Sequence, residues 1–269
     1  MDGILIIDKP KNMTSHDVVN IARGALKNKR IGHTGTLDPN ATGLLVLACG
    51  RATKLVKYFT NDRKTYDCEI IIGKGYDTDD ITGELTDELD ASNIEEKEIR
   101  NALDELIGKG YQLPPTYSAV KVGGQKLYEL ARKKKAVFGI EEREIEIFSI
   151  DNVNIKYLDK TIEISLSLEV SKGTYIRAIA RDLGKRLNNF GVLKDLRRTK
   201  VNKITLDDSY TIEQLRNNEV ELKDPFLFLD LPKITLNDYY IDEINNGRFL
   251  DLSLFEEKTD TIIYNESGD

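Results

Sequence analysis

The pattern of apolar and polar positions is clearest between Thr161 and Val170, where Ile162, Ile164, Leu166, Leu168 and Val170 alternate with other residues. A period of two places one set of side chains on one face, so this stretch predicts a half-buried β-strand. Leu44 to Cys49 is apolar throughout and predicts a fully buried strand; Ile4 to Ile7 predicts a short one, and Lys64 to Gly73 another. Helical spacing begins at Thr14-Ser15, either of which serves as the cap, with Asp17 in the first turn. Val18, Ile21, Ala22, Ala25 and Leu26 share one face of that helix, and Arg23, Lys27, Lys29 and Arg30 make the rest basic. Further helices are predicted over Glu95 to Ile107, Ala178 to Leu187 and Thr211 to Asn217, and from Asn237 to near Asn246-Gly247.

The intervening stretches carry turn chemistry. Tyr76 to Ser92 is acidic and rich in turn residues, which predicts a surface loop or hairpin. From Tyr111 to Lys135, Pro114 and Pro115 break any regular element and Gly123-Gly124 predicts a tight turn. A helix follows, basic at Lys126, Arg132, Lys133, Lys134 and Lys135. Gly191 to Lys200 reads as a basic strand or turn, and Pro225 to Pro232 as a linker. Helices and strands alternate irregularly, which places the chain in the α+β class.

At 269 residues, 40% hydrophobic and 32% charged, the chain is long enough for a sizeable core plus a small appendage. It has no apolar run of membrane-spanning length, and its start lacks the pattern of a signal peptide, so a cytoplasmic protein is expected, with no membrane partner. Cys49 and Cys68 both lie in apolar runs without metal-ligand spacing, and only two histidines are present; neither a disulfide framework nor a metal site is expected. Phosphate-cradling and dinucleotide glycine motifs are missing, so no cofactor is expected. The net charge of −7 disfavours a nucleic-acid partner at first sight. Its distribution reverses that: residues 1–64 hold 11 basic and 5 acidic side chains, and residues 172–200 hold 9 and 2. One basic face for phosphates and an acidic back fit this segregation.

Candidate chemistry concentrates in Gly32 to Gly43, GHTGTLDPNATG. Three glycines and a proline make the loop conformationally special, and Pro39 holds Asp38 away from the helical region. Leu37-Asp-Pro-Asn40 is also an ordinary turn sequence. The crowding of His33, Thr34, Thr36, Asp38, Asn40 and Thr42 exceeds what a connection requires, and that density makes the loop a site candidate.

GHTGTLDPNATG, followed by Gly50-Arg-Ala-Thr-Lys54, resembles the signature of the TruB family of tRNA pseudouridine synthases. Further resemblances fall in order along the chain. They are Lys9-Pro10 with Thr14-Ser15, Lys64 and Tyr66, the stretch from Gln112 to Arg132, Ser171-Lys-Gly-Thr-Tyr-Ile-Arg177 with the following RDLG, and Leu196-Arg197-Arg198. Asn12 and Asn202 stand where the family commonly has glycine.

The resemblance implies a pseudouridine synthase fold: a mixed, largely antiparallel sheet flanked by helices, with an RNA-gripping insertion at about 111–143. It implies a catalytic domain over 1–232 and, over 233–269, a short stub of the family's C-terminal RNA-binding module. It assigns catalysis to Asp38, to Arg177 as its ion-pair partner and to Tyr66, which stacks on the base and is a candidate general base. It assigns RNA binding to His33, Lys9, Lys64, Lys121, Arg132, Tyr175 and Arg197, with His33 entering the space left by a flipped uridine. The implied substrate is the uridine at position 55 in the T-arm of tRNA, with no obligate protein partner. Alternatives on the same fold are a non-catalytic RNA-binding protein and a guide-RNA-dependent synthase. Phosphoryl transfer by Asp38 needs Mg²⁺ and a second carboxylate cluster, which the sequence near the loop does not offer.

Overall fold

The structure is a computed structural model that describes residues 2–60, 63–118, 120–122, 125–127, 140–255 and 259–267. It divides the chain into two compact units, Met1–Lys223 and Asp224–Asp269. The first unit is built on a nine-stranded sheet. In chain order its elements begin with β1 (Gly3–Lys9), α1 (Ser15–Ala25), β2 (Ile31–His33), β3 (Thr42–Cys49), α2 (Val56–Thr60) and β4 (Lys64–Ile72). A small ribbon, β5 (Lys74–Tyr76) with β6 (Leu85–Glu88), comes next, then α3 (Glu96–Asp104) and β7 (Gly108–Gln112). After them come the short β8 (Lys121–Val122) and β9 (Gln125–Lys126), then β10 (Arg143–Tyr157), β11 (Ile162–Val170), α4 (Ile176–Arg186), β12 (Gly191–Val201) and β13 (Ile204–Thr205).

The order across the sheet is β1-β3-β12-β4-β11-β10-β7, with β2 also on β3 and β13 on β12. All of these pairs are antiparallel except β12 with β3. The alternation that predicts β11 is realised: Ile162, Ile164, Leu166, Leu168 and Val170 are all buried. Thr14 caps α1 in a reciprocal capping box with Asp17, which satisfies first-turn amides that have no intrahelical partner. The predicted strands at residues 4–7, 44–49 and 64–73 appear as β1, β3 and β4, and the acidic stretch after Tyr76 carries one strand of the β5–β6 ribbon.

Three differences from the sequence reading concern residues 108–157. Strand β10 has no counterpart in it, because register shifts at Ile147/Ser149 and Asp151/Asn154 interrupt the period-two pattern and much of the strand is exposed. Strand β7, with three of its five residues Gly or Lys, carries no strand signal either. Lys126, predicted on a helix, lies on β9. Gly123, Gly124 and the segment from Tyr128, including Arg132 to Lys135, lie outside the described residues. Gln112 and Arg143 are register partners on β7 and β10, so the chain between them leaves and re-enters the sheet at one point.

What positions the site is a seam. β3 and β12 run parallel and pair only at Arg197↔Thr42 and Arg198↔Gly43. The rest of the β12 edge on that side is covered by loops. Leu193 exchanges backbone hydrogen bonds with Asp79 and Ile81, and the Leu196 carbonyl lies 3.5 Å from the Thr42 hydroxyl. A bulge between Leu193 and Asp195 marks this stretch of β12. The seam requires glycine at 43: its φ is +97°, and a Cβ there would stand 2.2 Å from the Arg198 carbonyl oxygen. Helix α4 covers the sheet equally closely, since a Cβ on Gly184 would stand 2.2 Å from the Gly191 amide nitrogen. In the second unit, Lys233–Thr235 pairs in parallel with Ile262–Tyr264, and Asn237 caps the helix Asp238–Asn245. Among the described residues no helix is long and apolar enough to cross a membrane.

Gly43→Ala combines backbone strain with a backbone clash at the seam and is expected to lower stability by at least ~2 kcal/mol. Urea unfolding of the variant against wild type measures the loss, and an unchanged midpoint would show that the seam tolerates a side chain.

Candidate active site

Asp38 is presented by a loop whose backbone is held from both sides. The Ser15 hydroxyl donates to the Leu37 carbonyl (3.1 Å) and accepts from the Leu37 amide (2.9 Å). On the other flank the Lys9 ammonium donates to the Pro39 carbonyl at 3.2 Å, and to the carbonyls of Pro10 (2.9 Å) and Met13 (2.7 Å). The Arg198 guanidinium donates to the carbonyls of Gly35 (3.2 Å), Thr36 (3.5 Å) and, through Nε, Leu44 (2.7 Å). Leu37 is itself buried in the core. The residues on either side of Asp38 are therefore fixed, while its own side chain is 43% exposed.

The partner of Asp38 is Arg177, on the first turn of α4. Nε of Arg177 lies 3.0 Å from Asp38 Oδ2 and 3.7 Å from Asp80 Oδ2. Its Nη1 donates to the Thr78 carbonyl and Nη2 to the Tyr117 carbonyl, both at 3.1 Å. Arginine suits this place because its planar fork serves several acceptors at once and stays charged. Asp80 is in turn held by the Thr82 amide (2.9 Å) and by the hydroxyls of Thr78 and Thr82. The N-terminus of α4 is braced from β7, where the Gln112 side-chain amide accepts from the Tyr175 N–H (2.8 Å) and donates to the Tyr175 carbonyl (3.1 Å). Asp38, Asn40, Asp80, Arg177, Lys194 and Asp195 line one shallow cleft along the bulged stretch of β12.

Two buried cations stand behind the loop. Lys9 has no exposed surface and Arg198 almost none. Burial is the main reason the Lys9 ammonium is pushed down to about 8; the charge of Asp38 opposes that shift and Arg198 adds to it. Burial also holds His33 below the usual imidazole value, with Arg198 reinforcing it, so the ring is neutral at pH 7. Its Nδ1 is buried without a hydrogen-bond partner among the described residues. Among the described residues no group of three or more His, Cys, Asp or Glu side chains is placed to hold a metal ion.

Residues 23–176, more than half of the chain, match the TruB family pseudouridylate synthase (N terminal domain). The chain belongs to the TruB family. The chain is similar over most of its length to tRNA pseudouridine synthase B of Acholeplasma laidlawii (strain PG-8A), with 43% identity over 255 residues, 93% of this chain and 87% of the relative. The corresponding protein of Bacillus pumilus (strain SAFR-032) is 39% identical over 285 residues, 100% of this chain and 91% of the relative. In fold, the chain is similar to a chain in the crystal structure of a Cbf5-Nop10-Gar1 complex, with a TM-score of 0.72 at 21% identity, covering 99% of this chain and 76% of that one. The TruB-family fold implied by the sequence is the fold observed.

The residues singled out from the sequence fall into distinct places. Asp38 and Arg177 meet. Tyr66 is buried on β4 directly opposite Arg198, and among the described residues no hydrogen bond joins it to Asp38. Lys64, at the start of β4, passes 3.8 Å from where a Cβ on Gly35 would lie. His33 pairs with Leu47 through β2. Tyr175 caps α4. Lys121 is on β8, and Arg132 lies outside the described residues.

Lys9 requires correction. Expected among the RNA-binding residues, it has no exposed surface and its three N–H donors all serve carbonyls, so it is part of the scaffold of the Asp38 loop. Arg197 forms a forked pair with Asp8 (3.0 and 2.7 Å), which ties β12 to the end of β1. Sequence reasoning missed Arg198 as the loop clamp and Asp80 as a neighbour of Arg177. For Arg198 a signal existed: neighbours on a strand face opposite ways, so Arg197 and Arg198 do not share one surface.

Lys9 gives a pH-dependent prediction. Because its folded value lies below the unfolded one, near 10.5, the unfolded chain binds more protons between about pH 8 and 10.5. The penalty of burying this cation is full below pH 8 and disappears as pH rises through that window, by about 3 kcal/mol in all. The stability difference between wild type and Lys9→Met, measured by urea unfolding from pH 7 to 10.5, is expected to shift in favour of wild type with rising pH. A difference independent of pH would contradict the buried cation.

Proposed function

We propose that this chain is a tRNA pseudouridine synthase that isomerises the uridine at position 55 in the T-arm, with Asp38 as the nucleophile. The observation that carries the reading is the contact of 3.0 Å between Arg177 and Asp38, on a backbone fixed at both neighbours, in a chain of the TruB family. The reaction breaks the bond between N1 of uracil and C1′ of ribose, turns the base over and joins C5 to C1′; the hydrogen on C5 leaves as a proton and N1 gains one. No electrons are exchanged with an outside partner.

A carboxylate beside C1′ and C6 serves as a covalent nucleophile or removes a ribose proton, and both routes place Asp38 at the reacting atoms. Arg177 aims that carboxylate and, being bonded to two carbonyls, does not turn away from it. Tyr66, or a water it positions, takes the C5 proton in this reading. The target base has to leave its stack, at a cost of a few kcal/mol, and neutral His33, on the same loop connection as Asp38, fills the space it vacates. The basic stretches at residues 1–64 and 172–200 supply the charge that RNA phosphates need.

The test is release of the C5 hydrogen from an isotopically labelled T-arm stem-loop. Wild type is expected to release it, and Asp38→Asn to lose at least ~10³-fold in rate while still binding the RNA. No release by wild type with binding intact would leave an RNA-binding protein on a synthase fold. His33→Ala is expected to slow single-turnover conversion more than it weakens tRNA binding; equal rates would remove His33 from the mechanism.

A further inference from the structure

Arg177 and Arg181 stand one turn apart on α4 and face the same way. The plane of the Arg177 guanidinium is set by the carbonyls of Thr78 and Tyr117, which belong to two irregular segments, residues 77–82 and 113–118. Arg181 grips both. Its Nη1 lies 2.9 Å from Asp79 Oδ2, one residue beyond Thr78, and its Nη2 donates to the Leu113 carbonyl at 2.8 Å. Its Nε is held by Asp182 of the same helix at 3.0 Å. Arg181 and Asp79 are 18% and 15% exposed, so the pair is little screened by water.

Asp79 occupies a left-handed conformation, φ +60°, which disfavours a residue with a Cβ and persists only where the surroundings impose it. Its backbone carbonyl accepts from the Leu193 amide on β12 while its side chain is fixed by Arg181. The loop is thus pinned between the sheet and α4, and Thr78 and Asp80 on either side of Asp79 both reach Arg177.

We propose that Arg181 is a positioning residue: with Asp79 as its anchor it fixes the two segments that aim Arg177 at Asp38, and so sets the rate of the isomerisation without touching the RNA. This rests on the function proposed above. Burial, with a smaller push from the Asp182 charge, raises the Asp79 carboxyl, and Arg181 is the leading opposing influence, so removing the arginine leaves a carboxylate poorly suited to its place and the loop free to turn outward.

The experiment compares wild type, Arg181→Gln, Asp79→Asn, the double variant and the charge exchange Arg181→Asp with Asp79→Arg, on a full tRNA transcript. Single-turnover pseudouridine formation and RNA binding are both read. Each single variant is expected to lose ~10- to 100-fold in rate, the range associated with a misplaced catalytic group, with the dissociation constant for RNA within about threefold of wild type. The double variant is expected to be no slower than either single one, because both remove the same interaction, and the exchange to recover part of the rate. Far-UV circular dichroism and thermal midpoints identify any variant that fails to fold; the near-isosteric Asp79→Asn keeps the question answerable if Arg181→Gln does fail. Single variants at the wild-type rate, losses that multiply in the double variant, or a loss confined to RNA binding would overturn the inference while leaving the proposed activity standing. A wild type that makes no pseudouridine would overturn both.

Discussion

The Asp38 loop folds as it does because its carbonyl groups are claimed by buried cations. On β3 the edge facing β12 is incompletely paired: β12 takes it at Thr42 and Gly43, and β2 takes it at Leu47 to Cys49. Between them the Leu44 carbonyl would be left without a donor in the interior, a defect of roughly 1–3 kcal/mol. Arg198 fills that gap with Nε and extends its two terminal nitrogens toward the carbonyls of Gly35 and Thr36. Lys9 does the same on the other side, joining the turn after β1 to Pro39. One guanidinium and one ammonium therefore complete a sheet edge and two turns together.

Among the described residues neither cation lies at contact distance from a carboxylate; both are solvated by carbonyl dipoles, with Asp38 as the nearby negative charge that favours the protonated Lys9. The arrangement is reciprocal. The loop needs the cations for its hydrogen bonds, and the burial of Lys9 is eased by the carboxylate the loop displays. Arg177 then adds a third positive group in front of Asp38, tethered to a different part of the chain. Scaffold and chemistry share one electrostatic arrangement.

Much of this was legible beforehand, for identifiable reasons. The density of Gly, Pro and polar residues around Asp38 marks a loop with a fixed shape, and the alternation in β11 marks a strand with one buried face. Arg177 was reached only through its resemblance to a known motif, since an arginine at a helix start has no local signature of burial. Lys9 misled because a lysine in a turn reads as exposed, and its burial depends on three carbonyls drawn from two turns far apart in sequence. Asp79 and Asp80 were hidden by composition: an acidic stretch rich in turn residues looks solvated, and it is turned inward by the bridge from residue 80 to Leu193 on β12 and by the pair of Asp79 with Arg181. Strand β10 escaped because bulges break the periodicity by which strands are recognised.

The two-residue seam between β3 and β12 bears on how the molecule comes together. Asp38 belongs to the early bank of the sheet, with β1, β2 and β3, whereas Arg177, Arg197 and Arg198 belong to the late bank. The cross-links that close the seam are remote in sequence; Asp8 and Arg197 are separated by 189 residues. The joint exists only where β1, β3 and β12 stand together, so it depends on both banks being formed. A nascent or partly unfolded chain with either bank intact would hold one charge of the pair without the other, and the contact of Asp38 with Arg177 arises only when the seam has closed.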